Sequence, residues 1–178
     1  KYCDLERPLK QVFCAEHREV ARKIAAESFV LLKNEGNILP LQKKGTVAVI
    51  GPLANTKANM PGTWSVAAVP GNIPTLVEGM KWALGDKVNV VTAKGSNLMS
   101  DAAYEERATM FGRSLYRDNR TDKELLDEAL RVAAKADVIV AAIGESSEMS
   151  GECSSRTELE IPDTQRALLK ALLNTGKP

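Results

Sequence analysis

"TVAVIGP", residues Thr46 to Pro52, is short, rich in β-branched residues and almost wholly apolar. A strand with one wet face alternates apolar and polar residues; this run does not. It reads as a strand covered on both faces, which is the environment of a parallel sheet with helices on either side. Two further runs read as strands. "KVNVVTAKG" ends at Gly95, and "ADVIVAAIG" ends at Gly144.

Helical patterns lie before, between and after these runs. His17 to Lys33 carries apolar residues at Val20, Ile24, Ala25, Phe29, Leu31 and Leu32, and "NEGNILPL" stops it with Gly36 and Pro40. Thr75 to Leu84 opens with Thr75 and Glu78 in capping-box spacing. "TDKELLDEALRVAAKA" repeats that device with Thr121 and Glu124, and is apolar at Leu125, Leu126, Ala129, Val132 and Ala133. Pro162 and Asp163 open a last helix, "TQRALLKALLNTG", stopped by Gly176. Alternation of helix and strand predicts right-handed crossovers. The expected fold is α/β: a three-layer α/β/α sandwich with a mainly parallel sheet.

Such sheets bind ligands beyond the carboxyl ends of their strands. "GPLANTKANM", "AKGSNLMSD" and "GESSEMSGE" all leave from those ends, so the three loops should share one rim. "SNLMSDAAYEERATMFGRSLYRDNR", residues 96–120, reads as an insertion, partly helical or poorly ordered. The first residue is Lys1 and the last are "NTGKP", where this architecture usually feeds another strand. The expectation is a sandwich cut at both ends: 1–15 as a linker remnant and 16–178 as the partial domain.

Bulk composition excludes several classes. The chain has 178 residues, 44% hydrophobic and 26% charged, with net charge +1. Its Lys and Arg are spread out, which argues against a nucleic-acid surface. It has no run of 18 apolar residues that would span a membrane. Neither GxGxxG nor GxxxxGK[ST] is present, and Pro52 removes an N–H that a phosphate cradle would use, so nucleotide binding is disfavoured. Cys3, Cys14 and Cys153 match no disulfide framework or CxxC motif; they are read as free thiols, with a Cys3–Cys14 loop as the alternative. His17 is the only histidine, no metal-ligand cluster accompanies it, and it reads as a solvated residue. No cofactor and no metal are expected.

The chemistry-bearing stretch is "GESSEMSGECSSR", residues 144–156, with Glu145, Glu148 and Glu152 among Gly and Ser. A carboxyl group on such a loop can be placed in a neighbouring cleft. Glycosidic hydrolysis needs one carboxylic acid to protonate the leaving oxygen and a second carboxylate across the bond. The plainer reading is a solvated linker whose glutamates face water. Trp64, in "PGTWSVAAVPG", is either a platform for the C–H face of a sugar or a ring packed under its own loop. Trp82 beside Met80 reads as core or interface.

"ESFVLLKNEGNILPLQK", "VAVIGPLANTK", "GTWSVAAVPGNIPTLVEGMK", "VVTAKGSNLMSD" and "ADVIVAAIGESSEMSGECSSRTELEIPDTQRALLKALLNTGKP" together resemble the second domain of family 3 glycoside hydrolases, bacterial periplasmic-type β-glucosidases above all. The likeness covers about 18–178 and departs mainly across 103–120. It implies a preceding (β/α)8 barrel that carries an aspartate nucleophile, with the active site between the two domains. It implies that Glu152, preceded by Ser150 and Gly151, is the acid/base, with Glu145 and Glu148 as rivals. Arg156 is expected to face away from Glu152 and to hold the loop through carbonyls or Glu158, or else to be solvated. The implied activity is retaining, exo-acting hydrolysis of terminal β-D-glucosyl residues, in the periplasm or outside the cell. The implied partners are a β-glucoside or oligosaccharide substrate and the barrel; the chain alone should be inactive. The alternative is a non-catalytic carbohydrate-binding or scaffold domain of the same fold.

Overall fold

The three apolar runs become three strands. In the computed structural model β1 (Thr46–Ile50), β2 (Asn89–Ala93) and β3 (Val138–Ala141) form one sheet in the order β2-β1-β3. β1 runs parallel to both neighbours, with Val47 opposite Val90 and Val138, and Ile50 opposite Ala93 and Ala141. The structure describes residues 3–65, 67–107, 116–152 and 154–178. The chain divides into two units, Lys1–Leu41 and Gln42–Pro178.

Helices α1 (Arg7–Gln11) and α2 (Ala15–Glu27) belong to the first unit. Helices α3 (Leu76–Leu84), α4 (Ala102–Arg107), α5 (Asp122–Ala134) and α6 (Asp163–Leu173) belong to the second. Both expected capping boxes are present. Thr75 accepts from the Glu78 N–H and Glu78 accepts from the Thr75 N–H; Thr121 and Glu124 do the same. Each box satisfies two N–H groups that a helix start otherwise leaves open.

Successive side chains of β1 enter different cores, which is what a strand covered on both faces requires. Ala48 and Ile50 pack with Ala129, Ala133, Leu168 and Leu172, from α5 and α6. Val47 and Val49 pack with Val77 of α3, Val88 and Ala54. The sheet is therefore the middle of three layers. After α6 the chain returns to the sheet, where the Ile139 N–H donates to the Pro178 carbonyl at 2.8 Å.

One sequence expectation shifts and one is given detail. The helix expected to reach Lys33 stops at Glu27. The Ser28 hydroxyl donates to the Ala25 carbonyl at 2.7 Å, a back-bond that competes with helix continuation, and Phe29 and Val30 follow with poor helix propensity. The 96–120 stretch holds α4, and its described ends are tied down. Asn97 accepts from the Asp118 N–H at 2.9 Å and donates to the Asp118 carbonyl at 3.0 Å, while Arg117 pairs with the buried Glu105. Residues 108–115 lie outside the described residues.

Candidate active site

The three loops leaving the strand ends meet on one rim, and a single side chain joins two of them. Gln165, in the first turn of α6, is fully buried. Its amide donates to the Leu98 carbonyl at 2.8 Å and the Gly144 carbonyl at 2.9 Å, and accepts from the Gly144 N–H at 2.8 Å. The loop after β1 reaches the loop after β3 at Leu53, whose N–H donates to the Ala142 carbonyl at 3.3 Å. Gly51 makes that approach possible: its φ is +139°, and an added Cβ would lie 2.1 Å from the Ala142 oxygen.

The acidic loop has a buried foot and an exposed tip. Ser146, Glu148 and Met149 are buried, and the Glu148 carbonyl accepts from the Ser154 hydroxyl at 3.0 Å. Glu145 pairs with Arg156, whose other guanidinium nitrogen donates to the Glu160 carbonyl at 3.0 Å. Arg156 thus holds the loop through a carbonyl and through Glu145, not Glu158. Ser150, Gly151 and Glu152 are exposed, and among the described residues no hydrogen bond or ion pair engages the Glu152 carboxylate. Of the three glutamates, one is buried, one is neutralised by an arginine, and Glu152 alone stands at the tip.

The loop after β1 braces this one. The Thr63 hydroxyl donates toward the Ser150 carbonyl at 2.7 Å and contacts the Ser147 carbonyl, and Asn59 accepts from the Ser147 N–H at 3.2 Å. Trp64 follows Thr63 and is 66% exposed, so its ring is not packed under its own loop. Trp82, expected as core or interface, is 72% exposed on α3.

A cleft of about 530 Å³ opens at the carboxyl ends of β1 and β2, lined by Asn55, Lys57, Lys94, Tyr116, Arg120 and Glu128 among others. Its charges are largely answered within the chain. Arg120 bonds Asp118 at 2.7 Å and Glu128 at 2.8 Å, and Lys57 lies 3.7 Å from Glu78. The Arg120 hydrogen bonds hold the Asp118 carboxyl down to about 2. Burial pushes the Lys94 ammonium below its ordinary range, opposed by Asp118 and Glu105, and Lys94 donates to Asn97 and to the Tyr116 carbonyl. Such a cleft suits a polar, uncharged ligand better than a phosphate, which would need unpaired donors and cations.

Among the described residues no three His, Cys, Asp or Glu side chains converge as a metal site, and no helix is long and apolar enough to cross a membrane. Cys3 and Cys14 are free thiols, and Cys153 lies outside the described residues. His17 is exposed on α2.

Sequence reasoning missed Gln165, Asn97, Asn59 and Thr63. Their only local signal is a polar residue in a loop or at a helix start, which many solvated residues share.

Comparison with known proteins supplies the family. The profile of the glycosyl hydrolase family 3 C-terminal domain matches residues 29–178. The chain belongs to glycoside hydrolase family 3. The chain is 43% identical over 162 residues to a periplasmic β-glucosidase of Salmonella typhimurium, covering 91% of this chain and 21% of that protein. It is 35% identical to thermostable β-glucosidase B of Acetivibrio thermocellus, covering 94% of this chain and 22% of that one. Among solved structures, a β-glucosidase from Listeria innocua in complex with glucose superimposes with TM-score 0.69 at 29% identity, over 95% of this chain and 20% of that one. A β-glucosidase involved in saponin metabolism from intestinal bacteria gives TM-score 0.75 at 31% identity, over 98% and 25%. The chain thus spans about a fifth of the length of these curated relatives.

Proposed function

We propose that this domain supplies the general acid/base of a retaining, exo-acting β-glucosidase, with Glu152 as that residue. The observation that supports it is the fate of the three loop glutamates: Glu148 is buried, Glu145 is paired with Arg156, and Glu152 stands exposed on a braced loop at the carboxyl rim of the sheet. An acid must reach a glycosidic oxygen that lies outside the domain, and only an outward-facing carboxyl can.

In this reading a preceding (β/α)8 barrel carries an aspartate nucleophile, and the substrate lies between the two. Retention asks for the carboxyls to stand roughly 5 Å apart across the scissile bond. Glu152 first gives its proton to the departing oxygen as the aspartate attacks the anomeric carbon. It then takes a proton from water, which releases the sugar and restores both carboxyls. Trp64 offers its exposed ring to the leaving-group side, and Ser150 and Arg156 support the loop. The substrate class is a β-glucoside or oligosaccharide with a terminal non-reducing β-D-glucosyl residue. The Salmonella relative's name supports a periplasmic or secreted location.

The test uses the complete polypeptide. Glu152→Gln should lower kcat/KM on glycosides with poor leaving groups by about 10²- to 10⁴-fold. Glu152→Ala should regain turnover of 2,4-dinitrophenyl β-glucoside when azide is added, with the β-glucosyl azide as product. Unchanged turnover of both variants would remove Glu152 from the mechanism and leave its rivals Glu145 and Glu148, or the non-catalytic carbohydrate-binding or scaffold role.

A further inference from the structure

Thr63 and its neighbour Asn59 grip the acidic loop from outside, and the grip falls just before the tip. Asn59 takes the Ser147 N–H, and the Thr63 hydroxyl sits between the carbonyl oxygens of Ser147 and Ser150. A hydroxyl has one proton to donate, so its two acceptors hold it as a pin between the ends of "SEMS" rather than as two full bonds. Only Gly151 separates the pinned Ser150 from Glu152. Gly151 has φ +115°, and a Cβ added there would lie 3.0 to 3.1 Å from the Thr63 side chain. The backbone leading into Glu152 therefore lies directly against Thr63. On the other side of the pin, Thr63 is followed by the exposed Trp64.

From this geometry we infer that Thr63 is a positioning residue: it fixes Glu152 at the loop tip and registers it against Trp64, so that acid and aromatic platform are held as one piece. The inference rests on the reading of Glu152 as acid/base. Ser150 is exposed, so water can replace the lost hydroxyl at its carbonyl and the fold loses little. Water does not hold the loop in one place, and an acid displaced by about an ångström loses most of its advantage.

Thr63→Val removes the donor at nearly constant shape, Thr63→Ser keeps it, and Gly151→Ala presses on the same contact from the opposite side. In the complete polypeptide, Thr63→Val should lower kcat/KM for phenyl β-glucoside by about 10- to 100-fold. The loss for 2,4-dinitrophenyl β-glucoside, whose leaving group needs no proton, should stay below about threefold. KM should change little, the dependence on leaving-group pKa should steepen, Thr63→Ser should behave as wild type, and Gly151→Ala should follow Thr63→Val. Equal losses on both substrates, equal behaviour of the Val and Ser variants, or wild-type behaviour of Thr63→Val would each overturn the assignment. Glu152→Ala measured alongside separates the two ideas. If it is impaired and rescued by azide while Thr63→Val is not impaired, only the Thr63 role fails. If Glu152→Ala is itself unimpaired, the acid/base reading fails and the Thr63 role fails with it.

Discussion

Gln165 satisfies three backbone groups of two different loops with one amide, from a position with no solvent exposure. A buried donor or acceptor left without a partner costs about 1 to 3 kcal/mol. Gln165→Ala strands the Leu98 and Gly144 carbonyls and the Gly144 N–H together, so it should destabilise the domain by about 3 kcal/mol or more, read as a lower urea midpoint at unchanged m-value. Gln165→Leu fills the space but leaves the same groups unpaired, and should do no better than Ala by more than the packing it restores. Because Gly144 begins the acidic loop, hydrogen exchange in 144–152 should rise in both variants. Thr63 differs in kind. Its acceptor Ser150 faces water, so its removal should be felt in catalysis more than in stability.

Elements inherit these constraints. The end of β1 passes so close to the end of β3 that Gly51 has no room for a side chain. Gly51→Ala puts a carbon against a backbone oxygen that the sheet register holds in place, and at a positive φ. It should cost about 2 kcal/mol or more, and thermal unfolding would show it. The segment entering α5 is governed by charge. Asp118 is bonded by Arg120, which holds its carboxyl at about 2, below the usual 3.8. A carboxyl depressed on folding adds stability that is complete above its unfolded pKa and is lost as the pH falls through its folded one. The stability gap between wild type and Asp118→Asn should therefore be full at pH 6 and close between about pH 4 and pH 2, in urea titrations at each pH. Asp163, depressed by its hydrogen bonds with Ser100, contributes in the same direction.

At the scale of the whole molecule the catalytic proposal divides labour between this domain and a barrel. Expressed by itself, the 178-residue chain should turn over neither 4-nitrophenyl β-glucoside nor cellobiose. Turnover above background by the purified chain would show that the nucleophile need not come from elsewhere. The parts of this architecture that were legible in the sequence are those specified by near neighbours. The unbroken apolar run around Val47 marks a strand covered on both faces, the runs at Val90 and Ile139 mark its neighbours, and Thr75–Glu78 and Thr121–Glu124 mark helix starts, because period and capping act over a few residues. The overlong expectation for α2 arose because apolar spacing continues past Ser28 while the backbone does not. The acidic loop was legible as a place, but not as an arrangement. Glu145, Glu148 and Glu152 have the same side chain in the same polar setting, and their separate fates follow from partners elsewhere: Arg156 for one, the buried foot of the loop for another. Thr63 reaches Ser150 across 87 positions and Gln165 reaches Leu98 across 67. The layers, the parallel sheet and the rim from which the loops leave can be read from residue order alone, since they follow from local periodicity. Which carboxyl faces outward, and what holds it there, was decided only by tertiary structure, because hydrogen bonds between loops depend on a proximity that no local pattern encodes.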